Sequence, residues 1–382
     1  GDTVKITKAT QFYAVCRKSN YYTVSYYLGN GSTNAAYQKL TQTVEEGTVV
    51  TFAKVPARTG YVNQGWSSKK NSEKATAKAK CTVNKNITLY AVQKKAVQLT
   101  FHRCDGSTWQ KTTLAKGSSY SLPGVRDAEG YTFMGWSTKP MQSVSPQYEA
   151  EEKITVNGNV DLYAVVFNRT TETDLTEDQL PQVDIYKYKQ VIFVGDSRTE
   201  FMENVLTGMG ESATKNVKFV CSAGKGLDWF TTTGWAQLYS IVQHDSNSIL
   251  SKKTAVIFNF GVNDLSKSAD YAEYYNWIAP QLKSKGCELY FMSVNPVNRL
   301  MLPNAGRADR SEAAVRSFNQ YMKANLSSAY TYIDMYSYLK STGYSFASDH
   351  YGTGTVDDGL HYTTRTYKRI FAKCMDSLRV PA

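Results

Sequence analysis

Five short apolar runs, at 191–194, 217–221, 255–260, 288–294 and 330–335, punctuate the C-terminal half of the chain, and the intervals between them carry helical patterns. Strands separated by stretches of that length are not hairpins; they pair in parallel through crossover helices, which cover both faces of the sheet. The expected architecture of residues 186–382 is therefore a three-layer α/β/α domain on a five-stranded parallel sheet. In such sheets the groups that do chemistry gather in the loops at the carboxyl ends of the strands. In the last helix Tyr367, Ile370, Phe371, Cys374 and Leu378 share one face, so Cys374 is expected to be a small buried hydrophobe.

The first half is organised differently. Three segments end alike: VKITKATQFYAV at 4–15, ITLYAV at 87–92 and ITVNGNVDLYAV at 154–165, which aligns Tyr13, Tyr90 and Tyr163. Upstream of the last two lie RTGYVNQGWSSK, with Gly60 and Trp66, and AEGYTFMGWSTK, with Gly130 and Trp136. A period of about seventy to eighty residues exceeds that of short solenoid repeats and points to small domains in tandem. Each full repeat opens on alternating residues (TVSYY at 23–27, QLTFH at 98–102) and closes on an aromatic strand, so β-structure should dominate.

This pattern of an early strand, GY, GW and a terminal LYAV resembles the Listeria-Bacteroides, or internalin B-type, repeat. The resemblance implies small β-grasp-like modules in an extracellular, bacterial cell-surface setting, and by itself implies no chemistry. It divides the chain into the end of an upstream repeat at 1–16 and repeats at 17–94 and 95–167. The recurrent Tyr and Trp residues suit either carbohydrate binding or the core of a small domain, and one aromatic at a fixed place per repeat favours the core. Residues 168–185, NRTTETDLTEDQLPQVDI, are polar and acidic and are expected to be a linker.

Charge follows the same division. Residues 1–167 hold 21 Lys and Arg against 11 Asp and Glu, whereas the remainder holds 23 against 22. The basic excess of the repeats favours an anionic partner such as acidic wall polymer, and a solvated lysine-rich face is the alternative. No recognition motif accompanies it, so nucleic acid is not expected. The six cysteines, at 16, 81, 104, 221, 287 and 374, show neither metal-type spacing nor the density of a disulfide scaffold. With no HExxH and no CxxC, neither a metal nor another cofactor is expected. No apolar run reaches bilayer-spanning length.

The sheet supplies a test for the stretch VIFVGDSRTE at 191–200. Ser197 follows the first apolar run in a strand–turn–helix grammar, and serine is among the best helix N-caps, so GDS alone does not distinguish a cap from a nucleophile. A nucleophile requires partners at the ends of the other strands. CSAGKG (221–226) follows the second run, GVND (261–264) the third, and DDGLH (357–361) precedes the last helix. These four blocks, in this order, resemble the SGNH (GDSL-type) hydrolase family.

The resemblance implies a serine hydrolase in which His361 takes the Ser197 proton and Asp358, three residues earlier, orients the imidazole. Asp357 is the alternative acid, one residue out of register. A serine hydroxyl needs such a base, and histidine serves because its pKa lies near neutrality. By the same resemblance the oxyanion is held by the backbone N–H of Ser197, a backbone N–H of the second block and the side-chain amide of Asn263. Gly226 fits the second block better than Gly224.

Asp196 and Asp264 are expected to hold their own turns. His102, His244 and His350 have no motif partner and are expected at the surface or in local bonds. Arg198 either forms a surface salt bridge or guides an anionic substrate at the mouth. Trp229 and Asn295 either line the pocket or pack beside it. The chain thus reads as a cell-surface serine esterase that removes short, acetyl-like groups from carbohydrate or wall glycan. An O-acyltransferase on the same fold, or an adhesion protein with a vestigial hydrolase domain, is the alternative.

Overall fold

The computed structural model describes residues 2–16, 18–184, 187–244, 253–302, 310–347 and 358–378, without the side chain of His244. The chain forms two compact units, one of residues 1–98, 112–118 and 156–159, the other of 99–111, 119–155 and 160–382. The first contains the first repeat. The second contains most of the second repeat together with the whole α/β domain.

Each repeat is β-rich and built on one plan. In the first, the opening strand Tyr21–Tyr27 runs parallel to the strand that carries LYAV, and Tyr61–Ser67 lies antiparallel to that same strand with a bulge after Asn63. In the second, Val160–Asn168 pairs in parallel with residues 99–102 and antiparallel with Tyr131–Ser137. The two motif tryptophans are core residues: Trp66 and Trp136 are buried, and each indole N–H donates to a backbone carbonyl, of Ala53 at 2.6 Å and of Pro123 at 2.8 Å. A large apolar ring with its one polar atom satisfied is what a small domain needs at its centre. Residues 2–16 adopt no regular structure and leave Phe12 and Tyr13 exposed.

The α/β domain follows the expected alternation. Its strands are β1 (Tyr188–Gly195), β2 (Val217–Cys221), β3 (Lys253–Asn259), β4 (Cys287–Met292) and β5 (Tyr330–Ile333). They form one sheet in the order β2-β1-β3-β4-β5, with every pairing parallel. The strands are apolar on both sides, as burial under two helical layers requires. The principal helices are α1 (Ser197–Met209), α2 (Trp235–His244), α3 (Ser268–Ser284), α4 (Glu312–Asn325), α5 (Met335–Thr342) and α6 (Thr364–Ser377). Cores lie on the two faces of the sheet: Ile192, Val194, Phe258 and Phe291 point to one, and Val191, Phe193, Ile257 and Tyr290 to the other. Cys374 is fully buried in the second core. In this strand order the chain reverses direction across the sheet between β1 and β3, and their carboxyl ends, Gly195 and Asn259, are register partners. The crevice at such a switch point is where open α/β sheets place their ligands.

The segment 168–184 is not a free tether. Leu180 and Val183 are buried, and Glu172 is 6 % exposed, paired with Arg369 at 3.0 Å and accepting the hydroxyls of Ser345 and Thr366. Its polar composition hid a charged residue that is used inside the fold. Among the described residues no helix is long and apolar enough to cross a membrane.

Candidate active site

The turn after β1 aims Ser197. A Cβ at Gly195 would lie 2.0 Å from Thr199 Oγ1 and 2.8 Å from the Asn259 carbonyl oxygen, so only glycine lets the chain pass this close to β3. Asp196 caps α1, its carboxylate accepting the Arg198 N–H at 3.0 Å. Ser197 is therefore the first residue of the helix, where the unpaired N–H groups favour negative charge. Asp196 is the turn-holding residue expected from the sequence. Burial pushes its carboxyl up to about 6, against the partial offset of its hydrogen bond from Arg198 and the nearby guanidinium.

His361 meets Ser197 from the other end of the domain. Its Nε2 lies 2.9 Å from Ser197 Oγ and its Nδ1 lies 2.7 Å from Asp358 Oδ2. The other Asp358 oxygen accepts the backbone N–H groups of Leu360 at 2.7 Å and His361 at 2.6 Å, so the carboxylate is fixed by the loop it belongs to. With Nδ1–H donating to Asp358, Nε2 is left as the acceptor facing the serine. All three residues are buried, and Phe201 meets the imidazole edge-on with ring centroids 4.6 Å apart. Asp357 and His350 lie outside the described residues.

The glycine-rich turn and the GVND turn are bonded to each other. Asn263 Nδ2 donates to the Lys225 carbonyl at 2.8 Å, and the Leu227 N–H donates to Asp264 at 2.9 Å. A Cβ at Gly226 would fall 2.3 Å from the Asp264 carboxylate, so the close approach of the two turns reserves this position for glycine. Asp264 also accepts the Tyr271 hydroxyl at 2.8 Å, and burial raises its pKa. Gly224 is exposed at φ 69° and serves the turn.

Arg198 has neither of the roles expected of it. It is buried, and its guanidinium donates to three backbone carbonyls: Leu360 at 3.0 Å, Asn295 at 2.9 Å and Pro296 at 2.9 Å. Its planar fork of donors ties the loop of His361 to the turn after β4, a task the flexible point charge of lysine does not match. Trp229 is half-buried and packs on Phe260, with centroids 6.1 Å apart. Asn295 is buried beside the site, and its Oδ1 has no hydrogen-bond partner among the described residues. His102 is locally bonded, to the Gly106 carbonyl at 3.1 Å and Asp161 at 2.9 Å.

Motif reading passed over Arg310, which donates to Asn263 Oδ1 at 2.6 Å and thereby fixes which face of the amide presents its N–H groups. It lies in no motif, and its distance of 47 residues from Asn263 leaves no sequence signal.

Comparison with known proteins agrees with this reading of both halves. Residues 191–374 match the family model of the GDSL-like lipase/acylhydrolase, and residues 22–92 and 98–165 each match that of the Listeria-Bacteroides repeat domain. A curated protein of Evansella cellulosilytica described as a Gly-rich membrane protein is 26% identical over 166 residues, covering 43% of this chain and 18% of that protein. Similar solved structures include the catalytic domain of a Streptococcus pneumoniae peptidoglycan O-acetyltransferase, 15% identical with a TM-score of 0.32 over 50% of this chain and 92% of that one. An acetylxylan esterase from Geobacillus stearothermophilus is 11% identical, with a TM-score of 0.31 over 51% of this chain and 96% of that one.

Proposed function

Since the chain carries a GDSL-type serine hydrolase domain, we propose that it acts as an esterase at a bacterial cell surface, removing short acyl groups from carbohydrate or wall glycan through an acyl-enzyme on Ser197. The observation that carries this reading is the line from Ser197 Oγ through the His361 imidazole to Asp358, at 2.9 and 2.7 Å.

His361 Nε2 takes the hydroxyl proton as Ser197 Oγ attacks the ester carbonyl, and Asp358 stabilises the imidazolium without taking a proton itself. The oxyanion is received by the backbone N–H groups of Ser197 and Gly226 and by the Asn263 amide. One amide N–H is held by Lys225, which leaves the second for the substrate oxygen. His361 then returns its proton to the leaving alcohol, and a water, deprotonated by His361, releases the acid. The Listeria-Bacteroides repeats support the surface setting, and their lysines suit an anionic wall polymer.

A panel of acetyl, longer acyl and sugar esters, run with and without free sugar acceptors, tests the proposal. Short acyl sugars should be hydrolysed best, and Ser197→Ala and His361→Ala should each abolish nearly all turnover and, for Ser197→Ala, labelling by a fluorophosphonate. Net acyl transfer to a sugar hydroxyl would make the enzyme a transferase, and labelling that persists in Ser197→Ala would remove the triad reading.

A further inference from the structure

The loop that bears Asp358 and His361 is braced from a direction that proton transfer does not require. Between the two residues sits Gly359, at φ 67°, whose carbonyl accepts the Asn298 N–H at 2.8 Å. A Cβ on Gly359 would meet the Asn298 carbonyl oxygen at 2.4 Å, so the two loops touch backbone to backbone. A glycine in this conformation makes the approach feasible and leaves the loop permissive. Other bonds hold its flanks: Ala347 pairs with both Asp358 and His361, and Arg198 holds Leu360. Asn298 holds the middle.

Asn298 is in turn held by the second repeat. Its Nδ2 donates to the Val125 carbonyl at 3.1 Å and to Asp127 Oδ1 at 2.9 Å. Asp127 is fixed within the repeat, accepting the Phe133 N–H at 3.0 Å and the Arg169 guanidinium at 2.8 Å, and its side chain is fully buried. The same seam contains Arg126 on the Leu300 carbonyl, Arg299 on Glu151 at 2.9 Å, and buried Lys340 between Glu149 at 2.9 Å and Glu312 at 2.8 Å. The space left along it is about 20 Å³, room for about one water. A closely packed, charge-paired seam holds its members in one geometry.

We propose that the second repeat is part of the catalytic apparatus, with Asp127 acting through Asn298 as a positioning residue that sets Gly359, and with it the Asp358–His361 pair, against Ser197. This rests on the serine-hydrolase reading above. Displacements of about 1 Å in a reacting pair cost on the order of a hundredfold in rate, so loosening one of several braces should cost about tenfold.

The test uses the full chain and a small soluble ester. Asn298→Ala, which leaves the Asp127–Arg169 pair in place, and Asp127→Ala should each lower kcat about tenfold with KM nearly unchanged, and should displace the pH midpoint of kcat. The loss in the double variant should fall well short of the two single losses combined, because both remove the Asp127–Asn298 contact. Asp127→Asn, which keeps an acceptor for Asn298, should recover most of the loss. If Asn298→Ala does not fold, Asn298→Ser, too short to reach Asp127, gives the same reading. A folded variant with unchanged kcat and pH profile, or additive losses in the double variant, overturns the positioning role. Ser197→Ala run in the same assay separates the two claims: activity that survives it defeats the serine reading, whereas a dead Ser197→Ala beside a fully active Asn298→Ala defeats only this inference.

Discussion

His361 Nε2 stands 2.9 Å from Ser197 Oγ across a sequence separation of 164 residues. The two residues occupy opposite ends of the α/β domain in sequence, and the parallel sheet brings them to one crevice. The turns after β2 and β3 stand beside that crevice, joined by the bond from Asn263 to the Lys225 carbonyl.

Asn263→Ala should lower kcat for a good substrate on the order of a hundredfold or more, with little change in KM, because an oxyanion donor acts mainly in the transition state. Arg310→Met should give a smaller loss of the same kind, since it frees the amide that Arg310 now orients. Steady-state kinetics on folded variants decide the point: a rise in KM at constant kcat would assign Asn263 to ground-state binding instead.

Asp196 makes stability depend on pH. Its folded pKa of about 6 is above the ordinary 3.8, so the folded state binds the proton more tightly than the unfolded chain. Its contribution is fully favourable below about pH 4, is lost as pH climbs from 4 to 6, and is absent above that; the change amounts to about 3 kcal/mol. Asn is as good an N-cap as Asp and carries no charge. Asp196→Asn should therefore have a higher Tm than the parent near pH 7, with the gap closing toward pH 4. Thermal unfolding across that window measures it, and a gap that does not vary with pH would rule out this titration.

Lys340 is the cation of a buried cluster, flanked by Glu149 and Glu312 and donating to the Met134 carbonyl at 2.8 Å. Lys340→Met removes the ion-pair partner of both Glu149 and Glu312, whose charge Arg316 offsets only in part, so urea unfolding at pH 7 should show a loss of about 3 kcal/mol. The deficit should narrow in mildly acidic solution, where protonation removes the uncompensated charge. Equal deficits at both pH values would mean that packing, and not charge, explains the effect.

The parts of the molecule legible from sequence were those written in local periodicity and short motifs. The five apolar runs became the five strands because a strand buried on both faces must be apolar throughout, and three of the four blocks directly follow β1, β2 and β3, while DDGLH lies between α5 and α6. Arg198 was misread because a guanidinium that satisfies itself on backbone carbonyls leaves no partner side chain to recognise. The segment 168–184 was misread for a related reason: Glu172 is buried by Arg369, 197 residues away, and composition carries no trace of so distant a partner. The union of the second repeat with the α/β domain rests on single residues such as Asp127, Asn298 and Lys340, which have no period and no motif.

The sheet order β2-β1-β3-β4-β5 also governs when reactivity first exists. The nucleophile is laid down early in the domain, just after its first strand, while its base arrives just before the final helix. Pairings between distant parallel strands close large loops and form slowly. A nascent or half-assembled domain therefore carries a serine no more reactive than one on any surface. Catalytic power thus arrives with the completed fold, because the serine has no base until the segment bearing His361 has docked.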